Sequence, residues 1–141
     1  MFIFVADHTS IGRGKSDLET SRYHIPMVIY APKWIKPEVV STVASQIDIA
    51  PSLLGWMNIP YTSEFFGRDI FRDGKGSPLY LAHYQTVGYI DDSMLVELRP
   101  RQQTRIYRQD SNEIVKGELA EQARLRGIAI YQTAARRFSN D

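Results

Sequence analysis

Five apolar residues in a row, Phe2, Ile3, Phe4, Val5 and Ala6, stand near the start of the chain with no polar residue between them. Without polar alternation such a run predicts a strand buried on both faces, as in the parallel sheets of α/β proteins. It ends on Asp7 and His8. A second apolar run at 26–31 predicts a second buried strand, with Pro26 at its first position, where a missing N–H matters least. Between the two, residues 9–23 hold too many glycines, serines and charges for a good helix and read as a long loop, a feature that in compact domains is usually functional. Pro32 and Pro37 bracket a turn around Trp34, and 39–43 read as extended or a short strand. A short helix is predicted from Asp48: this residue caps it, Pro51 falls in the first turn, Leu53, Leu54 and Met57 face the core, and Asn58 and Pro60 end it.

Beyond Gly67, Arg68 and Asp69 the pattern changes. Short runs rich in aromatic and β-branched residues at 79–84, 87–90, 94–98 and 104–108 are separated by turn signals such as Asp91-Asp92 and Pro100, which predicts an antiparallel meander of about four strands. A last helix starts near Asn112 or, in preference, just after Gly117, because an interior glycine costs about 1 kcal/mol. Its apolar stripe is Leu119, Ala123, Gly127, Ile130, Ala134 and Phe138, flanked by Ala120 and Tyr131, and the small residues in it predict close packing on a sheet. The expected fold is therefore α/β: a sheet sandwiched by helices over 1–75, then an antiparallel sheet with a C-terminal helix over 76–141. No internal repeat or low-complexity segment is present. A doubly buried strand needs neighbours on both sides, so we expect the chain to be the later part of a larger polypeptide whose missing N-terminal part is its first partner.

Composition narrows the function. The 141 residues carry a net charge of +1, with 23% charged and 43% hydrophobic, so no nucleic-acid partner is expected. Without cysteine the chain has no disulfide, thiolate ligand or Cys nucleophile. No apolar stretch approaches the ~20 residues that span a bilayer, so no membrane segment is expected in the chain.

The candidate chemistry sits at the end of the first strand. A carboxylate and a neutral imidazole on adjacent residues at a strand's carboxyl edge supply half of a divalent-cation site. Taken alone, Asp7 and His8 are equally explained as an Asp capping the next turn beside an ordinary His. His24 precedes the second strand, near the sheet edge again, where an imidazole either binds metal, donates a proton to a leaving oxygen or plays a structural part. Lys15, in the glycine-containing loop, reaches an anionic substrate as a mobile point charge or is simply solvated. Arg13 and Arg22 are further candidates for phosphate contact, with nothing to rank one above the other, whereas His83 and Asp48 read as structural. Nothing marks Thr9 or Ser10 as an activated nucleophile.

Several stretches recur in one order: Asp7-His8; 9–15, Thr-Ser-Ile-Gly-Arg-Gly-Lys; 22–32, Arg-Tyr-His-Ile-Pro-Met-Val-Ile-Tyr-Ala-Pro; 44–54, Ala-Ser-Gln-Ile-Asp-Ile-Ala-Pro-Ser-Leu-Leu; and 66–70, Phe-Gly-Arg-Asp-Ile. This series resembles the C-terminal part of the sulfatase and lipoteichoic acid synthase branch of the alkaline phosphatase superfamily, and phosphoglycerol transferases most closely. It covers residues 2 to about 71, with a weaker match at 128–134. The resemblance implies that Asp7 and His8 are metal ligands, for manganese first and magnesium, zinc or calcium as alternatives. It implies a further ligand carboxylate and a nucleophile, threonine in the lipoteichoic acid synthase branch, upstream of this sequence. It also implies a phospholipid or a sulfate or phosphate ester as substrate, turned over through a covalent intermediate; by their positions in the chain Lys15, His24 and Arg13 are the candidate substrate contacts, the first two catalytic. The enzyme it points to is membrane-anchored with its catalytic domain outside the cytoplasm. The competing expectation is a noncatalytic interaction domain that keeps the scaffold. By itself the chain is expected to be inert and, through an exposed strand edge, able to self-associate.

Overall fold

A computed structural model describes residues 1–9, 18, 20–72, 78–91 and 93–139. Packing divides the chain into two compact units, Met1–Ser41 and Thr42–Asp141, a division that falls inside the stretch 1–75 grouped together on sequence.

In the first unit β1 (Phe2–Val5) pairs antiparallel with β2 (Met27–Tyr30), Phe2 opposite Tyr30 and Val5 opposite Met27. The ladder starts at Met27 rather than Pro26, which has no N–H to contribute. The expectation of a parallel, doubly buried strand is corrected here. Phe2, Phe4, Val28 and Tyr30 are each more than half exposed, and the rings of Phe2 and Phe4 stack at 6.4 Å. An unbroken apolar run carries no information on direction. Direction follows from where the chain re-enters, and it re-enters β2 at the end where it leaves β1.

The second unit opens with a 3-10 turn, Gln46–Asp48, that runs into α1 (Ile49–Trp56). Asp48 stands at the N-cap position of α1, as expected, but because the helical tract already starts at Gln46 its side chain makes no capping bond to α1. Its carboxylate instead reaches backwards and across. Oδ2 accepts the Ser45 N–H at 2.8 Å, Oδ1 accepts the Arg68 N–H at 2.8 Å, and the residue is 1% exposed. Ser52 works beside it, donating to the Asp48 carbonyl at 2.6 Å and accepting the Ile70 N–H at 3.0 Å. Two short polar side chains thereby fasten residues 68–70 onto α1. Gly67 is required at this junction, since a Cβ there would overlap the Ile47 carbonyl oxygen. Asn58 ends α1 as expected: at φ 54 its N–H bonds the Gly55 carbonyl (3.0 Å) while the Ile59 N–H bonds Leu54 (3.0 Å). Met57 lies in that departing turn and is exposed, not in the core.

The four-stranded meander is present as expected, with β3 (Leu79–His83), β4 (Thr86–Asp91), β5 (Met94–Arg99) and β6 (Gln103–Arg108) antiparallel in sequence order. One row crosses the whole sheet, Tyr80, Tyr89, Val96 and Ile106. Against this row lies α2 (Glu118–Ser139), which begins directly after Gly117. Its buried line is Ala120, Ala123 and Gly127, and a Cβ on Gly127 would stand 3.3 Å from the Tyr89 Cβ, so the helix approaches as closely as its small residues allow. That closeness brings the Tyr131 hydroxyl to the carbonyls of Leu81 (3.0 Å) and Gly88 (2.7 Å), which face each other across β3 and β4. Leu119 and Phe138, placed in the stripe on sequence, are exposed: the contact follows the small side chains at 120, 123 and 127, about 100° round the helix from Leu119. On the sheet's other face Leu81, Ile90, Leu95 and Glu97 are buried, and Arg99 holds the Glu97 carboxylate at 2.8 Å.

Tyr89 sets the alkaline limit of this unit. Burial first, and then its hydrogen bond to Asp91 Oδ2 (2.9 Å), push its phenol far above the ordinary 10.0; burial also raises Tyr80. Below pH 10 the phenol is neutral folded or unfolded, so it gives no slope. Above that value the unfolded chain sheds the proton and the folded one keeps it, so stability falls as pH rises. Melting curves should therefore be flat from neutral to about pH 9.5 and drop steeply by about pH 11, and Tyr89→Phe, less stable throughout, should show a shallower alkaline drop. Equal slopes in the two proteins would remove Tyr89 as the cause.

Candidate metal centre

Asp7 and His8 lie two and three residues past the end of β1, with side chains 88% and 79% exposed. They are organised nonetheless. The His8 N–H donates to Asp7 Oδ1 at 2.9 Å, and His8 Nε2 lies 3.5 Å from Asp7 Oδ2. On the far side of the ring, Nδ1 is 2.8 Å from the Thr9 carbonyl oxygen. A carbonyl only accepts, so Nδ1 carries a proton there, and Nε2 is the nitrogen turned to Asp7, where a proton or a cation would bridge the two. Orienting a ligating imidazole through its other nitrogen is the usual second layer of a metal site.

The spacing also suits a shared cation. Donors bound at about 2.0–2.1 Å with a near-tetrahedral angle stand about 3.4 Å apart, close to the 3.5 Å between Nε2 and Oδ2. A carboxylate oxygen with an imidazole nitrogen suits manganese or zinc better than calcium, which prefers all-oxygen shells. Two ligands are only part of a coordination sphere. Among the described residues no group of three His, Asp or Glu side chains comes together, so His24 does not join the pair as a third ligand.

The register of the ribbon places His24 at the same end as Asp7 and His8, because β1 leaves where β2 enters. The Thr9 hydroxyl reinforces this by donating to the Arg22 carbonyl at 2.6 Å, tying the residue after His8 to the 3-10 turn Thr20–Tyr23 that leads to His24. Thr9 is thus an anchor. Beside His24, burial raises the Tyr23 phenol above its ordinary value, with Arg22 pulling partly the other way, so the hydroxyl stays neutral at physiological pH. Arg13, Lys15 and Ser10 lie outside the described residues. His83 packs edge-on against its neighbour Tyr84 with centroids 4.6 Å apart. The contribution of Thr9, through both its carbonyl and its hydroxyl, was missed on sequence. A backbone oxygen has no sequence signature, though a β-branched polar residue next to a ligand pair was a hint.

Known proteins resemble parts of this chain. The model of the family described as Sulfatase matches residues 1–59. The crystal structure of a protein in the alkaline phosphatase superfamily from Vibrio parahaemolyticus superposes with a TM-score of 0.76 over 98% of this chain, at 23% sequence identity. The chain is similar to sulfatases over residues 1–59 and shares the fold of the corresponding part of the Vibrio protein. It spans 35% of that relative's length. None of the curated proteins compared with it matches. Among the described residues no helix is long and apolar enough to cross a membrane.

Proposed function

We propose that this sulfatase-like chain contributes part of the active site of a metal-dependent enzyme that transfers or hydrolyses phosphate or sulfate esters. Asp7 and His8 hold one divalent cation, manganese in preference to magnesium, zinc or calcium. The observation that carries this reading is the His8 ring: its Nδ1 donates to the Thr9 carbonyl, which turns Nε2 towards Asp7 Oδ2 at 3.5 Å, a spacing that one cation could bridge. A cation held there would polarise an ester oxygen and offset charge on the oxyanion. Lys15 and Arg13 bind that oxyanion, and His24, at the same ribbon end, protonates the leaving oxygen. The nucleophile and a further carboxylate ligand come from upstream polypeptide, the chain's first partner, so a covalent intermediate forms outside this sequence.

Within the class we favour a phosphoglycerol transferase of the lipoteichoic acid synthase kind, using a phospholipid donor on the outer side of a membrane. The basis is the stretch from Asp7-His8 through 9–15 and the order of the segments after it. The test is turnover of phosphatidylglycerol and of aryl phosphate and sulfate esters by this chain joined to its upstream sequence, with and without manganese. Manganese-dependent release from the longer polypeptide, and none from residues 1–141 alone, is the expected result. Turnover by 1–141 alone would show that the site is complete without a partner, and inactivity of the longer form on every ester would leave a scaffold without catalysis.

A further inference from the structure

The free edge of the four-stranded sheet carries a second feature. The strand β6 lies at the end of the sheet order, and only part of its outer side is covered. The Val115 N–H bonds the Ile106 carbonyl at 2.9 Å, and the Arg108 N–H bonds the Glu113 carbonyl at 2.9 Å. Ile106 and Arg108 therefore turn their polar backbone groups outward, and by the two-residue period of a strand so does Thr104. Among the described residues nothing pairs with Thr104 from that side in the ladder, because at Gly117 (φ 96) the chain swings away into α2. The swing opens a cleft of about 490 Å³ whose walls include Tyr107, Ile114 and Val115, with Arg105, Lys116 and Arg124 around it.

Charge and shape together limit what fits. Arg124 is already bound to Glu121, Nε to Oε2 at 2.8 Å, and Glu97, opposite Arg105 in register, is held by Arg99. Among the described residues Arg105 and Lys116 remain as the unbalanced cations beside an outward Thr104 amide, over an apolar wall. The open stretch, residues 103–105, is too short to seat an added strand, and the chain's net charge of +1 does not suit a polynucleotide. We propose that this cleft is a binding site for an organic oxyanion, a phosphate or sulfate ester bearing an apolar group. Its anionic end is held by Arg105, Lys116 and the Thr104 N–H, and its apolar end lies on Tyr107 and Ile114.

The inference does not depend on the metal centre, and its test reads binding in metal-free buffer. Phenyl phosphate, phenyl sulfate and inorganic phosphate are titrated into the 141-residue protein while backbone amide resonances are followed. The phenyl esters should shift residues 104–106 and 114–116 saturably, with Kd below about 1 mM, and inorganic phosphate should bind at least about tenfold more weakly. Whichever phenyl ester binds more tightly separates phosphate from sulfate as the preferred head. Arg105→Glu and Lys116→Glu, both at exposed positions, should each weaken binding about tenfold and leave the remaining spectrum in place, with Lys116→Gln intermediate. Absence of saturation, shifts centred elsewhere, equal affinity for inorganic phosphate, or unchanged affinity in the charge-reversed variants would each overturn the assignment.

Discussion

Asp48→Ala should cost the second unit about 4 kcal/mol, enough to lower its melting temperature by on the order of 20 °C. The carboxylate is 1% exposed and both of its oxygens accept backbone N–H groups, one from Ser45 and one from Arg68. Alanine leaves those two donors without an acceptor, and each orphaned buried donor costs about 1–3 kcal/mol. Asp48→Asn should be nearly as damaging despite its matching shape. One of its two terminal atoms becomes an NH2 group, which meets an N–H in either orientation, so a single acceptor survives at best. Ser52→Ala removes the link to Ile70 and should cost about half as much. Because Asp48 and Ser52 share one network, the double variant should lose less than the sum of the two. Thermal unfolding of the three single variants and the double tests this directly, and an Asp48→Asn protein as stable as the parent would show that the two amides find other acceptors.

What the sequence disclosed and what it concealed divide along the range of the interactions involved. The meander was legible because its evidence is local: Asp91-Asp92 and Pro100 mark turns, and the aromatic and β-branched runs between them mark strands, which the structure places within two residues of the expected positions. The start of α2 was legible for the same reason, since Gly117 at φ 96 is both a local conformational signal and a poor helix residue. The direction of β1 was not, because apolar residues report only a demand for burial. Asp48 was recognised as structural but given the wrong partners, since Arg68 lies 20 residues away and no local rule selects it. The helix face was misplaced for a related reason: Leu119 and Phe138 outweigh alanines in any hydrophobic count, yet close approach to Tyr89 is possible only through Ala120, Ala123 and Gly127. At the candidate site, residue types pointed to Asp7 and His8. The orientation of the imidazole, which makes the pair usable, comes from a main-chain oxygen that sequence does not display.

Asp7→Asn and His8→Ala should each abolish metal-dependent turnover in the polypeptide that joins this chain to its upstream sequence, and should do so without unfolding it. Both side chains are largely exposed, so neither change opens a cavity or strands a buried charge. Asparagine keeps an oxygen in place to accept the His8 N–H, which Asp7 Oδ1 accepts at 2.9 Å, so the local backbone is retained while the anionic ligand is lost. Changes to the outer layer around metal ligands typically cost about 10–100-fold in affinity or activity. Direct loss of a ligand should therefore exceed about 100-fold, and the two variants together should be no worse than either alone, because they disable one site. Manganese affinity, followed by electron paramagnetic resonance, should fall in parallel with the rate, while the melting temperature measured without metal stays within about 2 °C of the parent, the range of ordinary surface changes. Full turnover with unchanged metal affinity in both variants would remove Asp7 and His8 from the site. Loss of rate with manganese still tightly bound would instead make the pair a substrate contact, and the proposed cation would then have to be held by other residues.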